Sequence, residues 1–562
     1  MFNLTYYAQK DNKDVKKENR ITTNATDNNV IINIKKEDNR EIITLKAIND
    51  IVIHQAEISL DIKFSQTSKF FLNGYQSWTD TKESYITEPE KLARRAKRFF
   101  KAAKNNDIYG KSKDVLINKF AFDRYGDVLL YDYDKNKLHG YDIFYIKGDK
   151  EFFSFNNNYK NAYLIYEVFR KEKKIRLVSD VRKYVIKAGE EFTVFDYSFY
   201  DSYELGLKAF YEAFPEKENN KVLGYTSWYN YYQNINESII LRDLDALDER
   251  FNLFQIDDGY ETFVGDWLDI DPNKFPNGFK EIVDKIHSKG YKAGIWLAPF
   301  VAEEKSKLFN EHKEYFKKDK VGNYIKCGGN WSGFYALDID NKEAMDYVKK
   351  CLEYYMELGF DFFKLDFLYA ISLPRYYDKT KAMATEMAYK LIRDTLKDKL
   401  ILGCGALPFA SSSYFDFLRI GPDVSLKFDD VWFMRMAHRE RISTKITLQN
   451  TIYRSIFNRH LFLNDPDVFL LRDDNIELSK KQKEALLVIN ALFGNVLMTS
   501  DNIKNYDDES KELLSYAFEL SKNAKDIKYV REGIYIRLSY NINGKVINTR
   551  YNTEKGVLED GR

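Results

Sequence analysis

Leu253-Phe254-Gln255-Ile256-Asp257-Asp258-Gly259-Tyr260 is an apolar run of strand length that stops at two aspartates and a glycine. Short apolar runs bounded by turn residues are the mark of buried strands. The same texture recurs from Val222 to Trp228, Ala293 to Ala298, Phe362 to Leu365, Leu400 to Cys404, Phe417 to Ile420, Leu461 to Leu463 and Val496 to Thr499, which makes eight strands. Between them lie segments of helical length and period, such as Phe279 to Lys289, Lys342 to Leu358, Lys381 to Lys397 and Lys480 to Leu492. A closed parallel sheet needs a crossover after each strand, so this alternation predicts a (β/α)8 barrel over residues 221–505.

Working outward, the residues before the polar stretch Glu216-Lys217-Glu218-Asn219-Asn220-Lys221 change character. Runs such as Val30-Ile31-Ile32-Asn33-Ile34 and Phe192-Thr193-Val194-Phe195, separated by Asn, Asp, Lys and Gly clusters, predict an N-terminal β-sandwich domain over 1–215. After the barrel, Gly533-Ile534-Tyr535-Ile536-Arg537-Leu538 and Lys545-Val546-Ile547-Asn548 predict a small C-terminal β-rich domain over 506–562. The expected class is multidomain α/β, and 562 residues accommodate it.

Composition removes several functions. With 87 Lys+Arg against 86 Asp+Glu the chain has no electrostatic case for nucleic acid as a partner. Cys327, Cys351 and Cys404 form neither a disulfide framework nor a four-cysteine zinc site, which favours a reducing, cytoplasmic setting. No apolar leader core opens the sequence and no run of membrane-spanning length occurs, so neither export nor a membrane partner is expected. The six histidines do not gather at the strand ends, and neither His-x-x-x-His nor Cys-x-x-Cys spacing occurs, so no metal is expected. No glycine-rich phosphate loop follows a strand, which leaves nucleotide cofactors without a seat.

In a (β/α)8 barrel chemistry sits where strands end at the C-terminal face. Here those ends carry Asp257-Asp258, Asp366, Asp423, Asn464-Asp465-Pro466-Asp467 and Asp501. Any one of them alone reads as a helix cap; a whole rim of them does not. Lys364 and Asp366 are two apart on one strand and share a face, so both are directed into the barrel, where the lysine favours an ionised Asp366. Gly421-Pro422 ends strand six and leaves Asp423 at the rim. Strands four and six are not neighbours, so the two carboxylates can face one another across a ring, the arrangement of glycoside hydrolysis. Trp228-Tyr229, Trp267 and Trp296 are the aromatics placed to stack on a sugar.

These segments resemble α-galactosidases of glycoside hydrolase family 36. The motifs that carry the resemblance are Phe254 to Glu261 with Gly265-Asp266-Trp267, Gly294-Ile295-Trp296-Leu297-Ala298-Pro299-Phe300, Phe363-Lys364-Leu365-Asp366-Phe367, Leu402-Gly403-Cys404-Gly405, Arg419-Ile420-Gly421-Pro422-Asp423 and Leu463-Asn464-Asp465-Pro466-Asp467. Asn73-Gly74-Tyr75-Gln76-Ser77-Trp78 is similar to that family's N-terminal-domain loop. The resemblance implies a retaining, cofactor-free exo-glycosidase with Asp366 as nucleophile and Asp423 as general acid/base. It further implies that Asp257 and Asp258 hold the C4 and C6 hydroxyls, that Lys364 contacts the C3 or C4 oxygen, and that Cys404 and Arg419 lie on the C2 side. Trp228, Tyr229 and Trp296 would line the pocket, with Tyr75 reaching in where some relatives carry Trp. The implied partner is an α-galactoside or a related oligosaccharide. An α-N-acetylgalactosaminidase, a galactosyl-transferring enzyme and a non-catalytic sugar-binding barrel are the alternatives.

Overall fold

The computed structural model of the chain describes residues 1–10, 13–88, 136–319, 322–374, 376–432, 435 and 439–559. Its N-terminal part is two antiparallel sheets face to face. One contains Phe2–Lys10, Ile51–Leu60 and Leu164–Phe169; the other contains Arg40–Ala47, Glu191–Tyr200 and Phe152–Asn156. Phe2 of the first meets Phe195 of the second with ring centroids 6.0 Å apart. Because side chains alternate along a strand, a strand buried throughout must be covered on both faces. Phe152–Asn156 is such a strand. Phe152 faces the sandwich interior beside Phe144, whereas Phe153 and Phe155 turn outward against Phe210, and the same outer layer reaches Phe457 of the barrel. The sandwich is therefore seated on the barrel through an aromatic layer.

The barrel strands are Val222–Thr226, Leu253–Ile256, Lys292–Leu297, Phe362–Leu365, Leu400–Gly403, Phe417–Arg419, Leu463–Asp465 with Val468–Phe469, and Val496–Thr499, all paired in parallel. Nine stretches amount to eight barrel strands because strand seven is broken at Pro466-Asp467. Its first piece pairs with strand six and its second with strand eight, which closes the sheet. Pro466 has no N–H to donate to the ladder, and Asp467 takes φ 79°, so the backbone turns there. The first piece ends two residues later than the apolar run, because Asp465 is paired internally with Arg419 and can remain inside the strand.

The crossovers follow the expected order, with one shortened. Asn341 caps Lys342–Glu357, Thr380 caps Lys381–Leu396, and Ser479 forms a capping box with Gln482 ahead of Lys480–Phe493. Strand five is followed only by the single turn Pro408–Ser411. After strand eight the helix Asp508–Asn523 completes the alternation, so the β/α pattern runs past residue 506, where the sequence reading opens the C-terminal domain. A four-stranded antiparallel sheet then follows from Lys525 to Glu559. Between strand three and its helix lies an excursion with its own small sheet, formed by Val301–Glu303, Lys326–Gly328 and Phe334–Ala336.

Candidate active site

Strand two ends at Ile256, so Asp257 and Asp258 are freed from strict alternation and both line one pocket. Gly259 makes this possible: its φ is +115°, and a Cβ there would lie 2.5 Å from the Gln233 Cα. Asp257 Oδ2 accepts from Gln255 Nε2 at 2.6 Å, Thr226 Oγ1 at 3.1 Å and Lys364 Nζ at 2.8 Å. Burial depresses the Lys364 ammonium, but the charges around it, Asp257 foremost with Cys404 and Asp366 adding, together outweigh burial and raise the lysine. Lys364 thus forms its ion pair with Asp257, two strands away in the barrel, and not with the strand-mate that alternation suggests. Asp258 accepts from Gln233 Nε2 at 3.2 Å and from Trp331 Nε1 at 3.0 Å. Burial lifts its carboxyl above the ordinary range, and the Asp257 charge adds to the lift.

Asp366 follows strand four. Its Oδ1 accepts from the Phe367 amide at 2.7 Å and its Oδ2 from Trp296 Nε1 at 3.1 Å. Both groups can only donate, so both address a carboxylate. Phe367, at φ 54°, turns the chain away immediately afterwards and leaves Asp366 facing the cavity.

Asp423 stands four residues beyond the end of strand six and also lines the pocket. Arg419 Nη1 donates to its Oδ1 at 3.2 Å. Desolvation raises the Asp423 carboxyl; Arg419 and Lys364 oppose this, and the charges of Asp366 and Asp257 reinforce it, with a net rise. Arg419 also donates from Nε to Asp465 at 2.9 Å and lies 2.9 Å from Asp467 through Nη2. Tyr229 donates its hydroxyl to Asp467 at 2.5 Å. Burial lifts Asp467 to about 7, with Arg419 opposing and the Asp423 and Asp465 charges adding.

The pocket encloses about 730 Å³ including its open mouth, in the range of small-ligand sites. Of the residues singled out from sequence it gathers Asp366, Asp423, Asp257, Asp258, Lys364, Trp296 and Trp228 in its lining. Tyr229, Arg419 and Cys404 lie behind that lining: the first two belong to the carboxylate network of strand seven, and Cys404 Sγ accepts from Trp78 Nε1 at 3.4 Å. Trp267 is core, packed on Trp296 at 5.6 Å. Tyr75 is buried away from the lining, its hydroxyl bonded to Ser372 Oγ and its ring tilted on Tyr141. The ring that enters from the N-terminal sandwich is Trp78, three residues on. Arg454 selects it by gathering the carbonyls of Gly74, Gln76 and Ser77, at 3.3, 3.0 and 2.5 Å, and curling the loop so that its far end meets the pocket. Trp331, Asn330, Phe367, Pro422, Glu440 and Ile442 complete the walls. Asn330 and Trp331 lie far along the excursion after strand three, and Glu440 far along the segment after strand six, beyond the residues that immediately follow a strand, so strand-end reasoning had no signal for them; Trp78 stands within a quoted motif.

The sandwich is thus seated on a (β/α)8 barrel, and one pocket at its strand ends gathers the carboxylates of Asp366 and Asp423 among tryptophans. Residues 212–413 match the family model described as Melibiase. The A type blood α-D-galactosamine galactosaminidase of Flavonifractor plautii is 33% identical over 153 residues, which are 25% of this chain and 14% of that protein. The α-galactosidase of Escherichia coli is 29% identical over 145 residues, 24% of this chain and 20% of that protein. The chain therefore matches only a minor part of the length of these curated relatives. Among solved structures, the α-galactosidase TtGalA of Thermus thermophilus superposes with a TM-score of 0.69 at 22% identity, covering 94% of this chain and 99% of that one. The family 36 α-galactosidase AgaA of Geobacillus stearothermophilus gives 0.60 at 11% identity, covering 93% and 72%. The expected likeness to family 36 thus holds for the fold over nearly the whole chain and for the sequence within the barrel.

Proposed function

We propose that the protein is a retaining exo-α-galactosidase that needs no cofactor, with Asp366 as nucleophile and Asp423 as general acid/base. The observation that carries this reading is the contrast between the two carboxylates in one pocket. Asp366 faces two N–H donors, while Asp423 is raised by its surroundings and so holds a proton more readily. In the first step an Asp366 oxygen bonds to the anomeric carbon, the glycosidic C–O bond breaks, and the departing oxygen takes the Asp423 proton. In the second, Asp423 takes a proton from water, the water oxygen bonds to the anomeric carbon, and Asp366 leaves as carboxylate; two inversions return the α-anomer. Asp257, Asp258 and Lys364 supply charged hydrogen bonds for the hydroxyls that mark a galacto-configured ring. Trp78, Trp228 and Trp296 offer flat faces for its apolar side. TtGalA in complex with stachyose is a neighbour consistent with an oligosaccharide substrate.

A second reading, α-N-acetylgalactosaminidase, draws on the relative named for α-D-galactosamine, a sugar that likewise carries nitrogen at C2. The two differ at C2 alone. Initial rates on aryl α- and β-glycosides, including α-galactoside and α-N-acetylgalactosaminide, decide between them, and NMR of the first sugar released must give the α-anomer. An initial β-anomer overturns the mechanism. Cys327, Cys351 and Cys404 are buried and form no disulfide among the described residues, which supports a cytoplasmic setting. Among the described residues no helix is long and apolar enough to cross a membrane.

A further inference from the structure

We propose that Trp331 is a specificity-determining residue: its indole orients Asp258 and forms the wall that receives the C6 hydroxymethyl group of the bound sugar. The inference rests on the galactosidase reading above. Trp331 lies on the excursion after strand three, between Lys326–Gly328 and Phe334–Ala336, and that excursion brings it back onto the pocket.

Its backbone sits at φ 52°, a conformation bulky residues rarely adopt and hold only where the surroundings impose it. Those surroundings are Phe334, Phe367 and Trp296, whose ring centroids lie 5.1, 5.2 and 6.3 Å from that of Trp331. Two of these, Phe367 and Trp296, also donate to the Asp366 carboxylate, so the indole is braced by the residues that hold the nucleophile.

The Trp331 side chain has a single N–H, and it donates to Asp258 Oδ2 at 3.0 Å. The two adjacent aspartates are thereby set apart. Asp257 is tied to Lys364, and on the galactosidase reading this pair serves the oxygens at C3 and C4. Asp258 is tied to Trp331, to Gln233 and to the buried Glu261 carboxyl, and on the same reading it addresses the substituent beyond C4. A flat apolar ring beside a carboxylate is what a CH2OH group requires, its methylene against the ring and its hydroxyl on the oxygen. Trp331 exchanges no proton in the reaction; it acts by contact and through Asp258.

The test compares 4-nitrophenyl α-D-galactopyranoside with 4-nitrophenyl β-L-arabinopyranoside, which has the same ring hydroxyls and lacks C6. Trp331→Phe keeps an aromatic ring and removes the N–H. It is expected to lower kcat/KM on the galactoside by about tenfold, chiefly through KM, as for a lost hydrogen bond to a charged group. On the arabinopyranoside the change stays below about threefold, because the group Trp331 serves is absent. Trp331→Ala should widen the gap, and thermal melting checks that each variant is folded. Equal losses on the two glycosides, or an unchanged ratio, overturn the assignment. A wild-type enzyme inert on both overturns the functional reading and this inference with it, whereas an active wild type with an unchanged ratio removes this inference alone.

Discussion

Residue by residue, the site divides into groups held for charge and groups held for position. Asp366 belongs to the first kind. Asp366→Ala is expected to abolish turnover on galactosides, since no glycosyl-enzyme can form. Azide added to that variant should yield the β-glycosyl azide from an activated aryl α-galactoside, the small anion entering by the vacated face; recovery of the α-azide removes Asp366 from the role. Asp423 should show its role through the leaving group. Asp423→Ala is expected to lose far more on a sugar leaving group than on an activated phenol that departs without a proton. The sign of the pH dependence follows from its raised carboxyl. The acid must be protonated, so kcat/KM on a sugar leaving group falls as pH rises through the Asp423 value, and that alkaline limb lies above the ordinary carboxylate range. The limb should vanish from the Asp423→Ala profile; if it persists, another group is the acid.

At the scale of elements, the chain changes direction where single residues leave ordinary backbone space. Phe367 and Gly259 do so just past strands four and two, each beside a carboxylate that lines the pocket, and Asp467 does so at the break in strand seven. Asp142 does so in the sandwich, at φ 59°, where Lys137–Tyr141 of one sheet passes into Ile143–Lys147 of the other. Its Oδ1 accepts from the Leu164 amide at 2.8 Å and Asn156 Nδ2 at 2.7 Å, yet burial prevails and lifts it to about 7. A carboxyl raised on folding favours the native state while protonated, so this contribution is complete below the unfolded value near 4 and is lost as pH rises through about 7. Asp142→Asn keeps the acceptor, tolerates the left-handed backbone and cannot ionise. Relative to wild type, its melting temperature should be unchanged near pH 4, rise between about 4 and 7 and level off above. A difference that does not vary with pH sinks this account.

For the whole molecule, the decisive contact is between parts far apart in sequence. Arg454, buried on the segment after strand six, donates to carbonyls of the 74–77 loop and to Ile420 at the end of strand six. The loop it holds delivers Trp78 to the pocket. Arg454→Met leaves several buried carbonyls without donors, each costing on the order of 1–3 kcal/mol before relaxation. Melting should fall by several degrees, and KM should rise with kcat less affected, because the displaced group is a wall and not the nucleophile. A loss of kcat at unchanged KM in the folded variant contradicts that role.

The sequence alone determined the strand count, the barrel, the sandwich before it and the rim of aspartates. Each of these is written in local periodicity: four to six apolar residues make a buried strand, and whatever follows must lie at its end. It also singled out Asp366 and Asp423 as facing groups. Tertiary structure alone decided that Lys364 pairs with Asp257, that Arg419 and Tyr229 brace strand seven from behind the lining, that Trp78 and not Tyr75 enters the pocket, and that Trp331 crosses from an excursion to Asp258. Past a strand end, side-chain direction depends on a turn's φ and on partners tens to hundreds of residues away, and neither is encoded in the spacing of neighbouring residues.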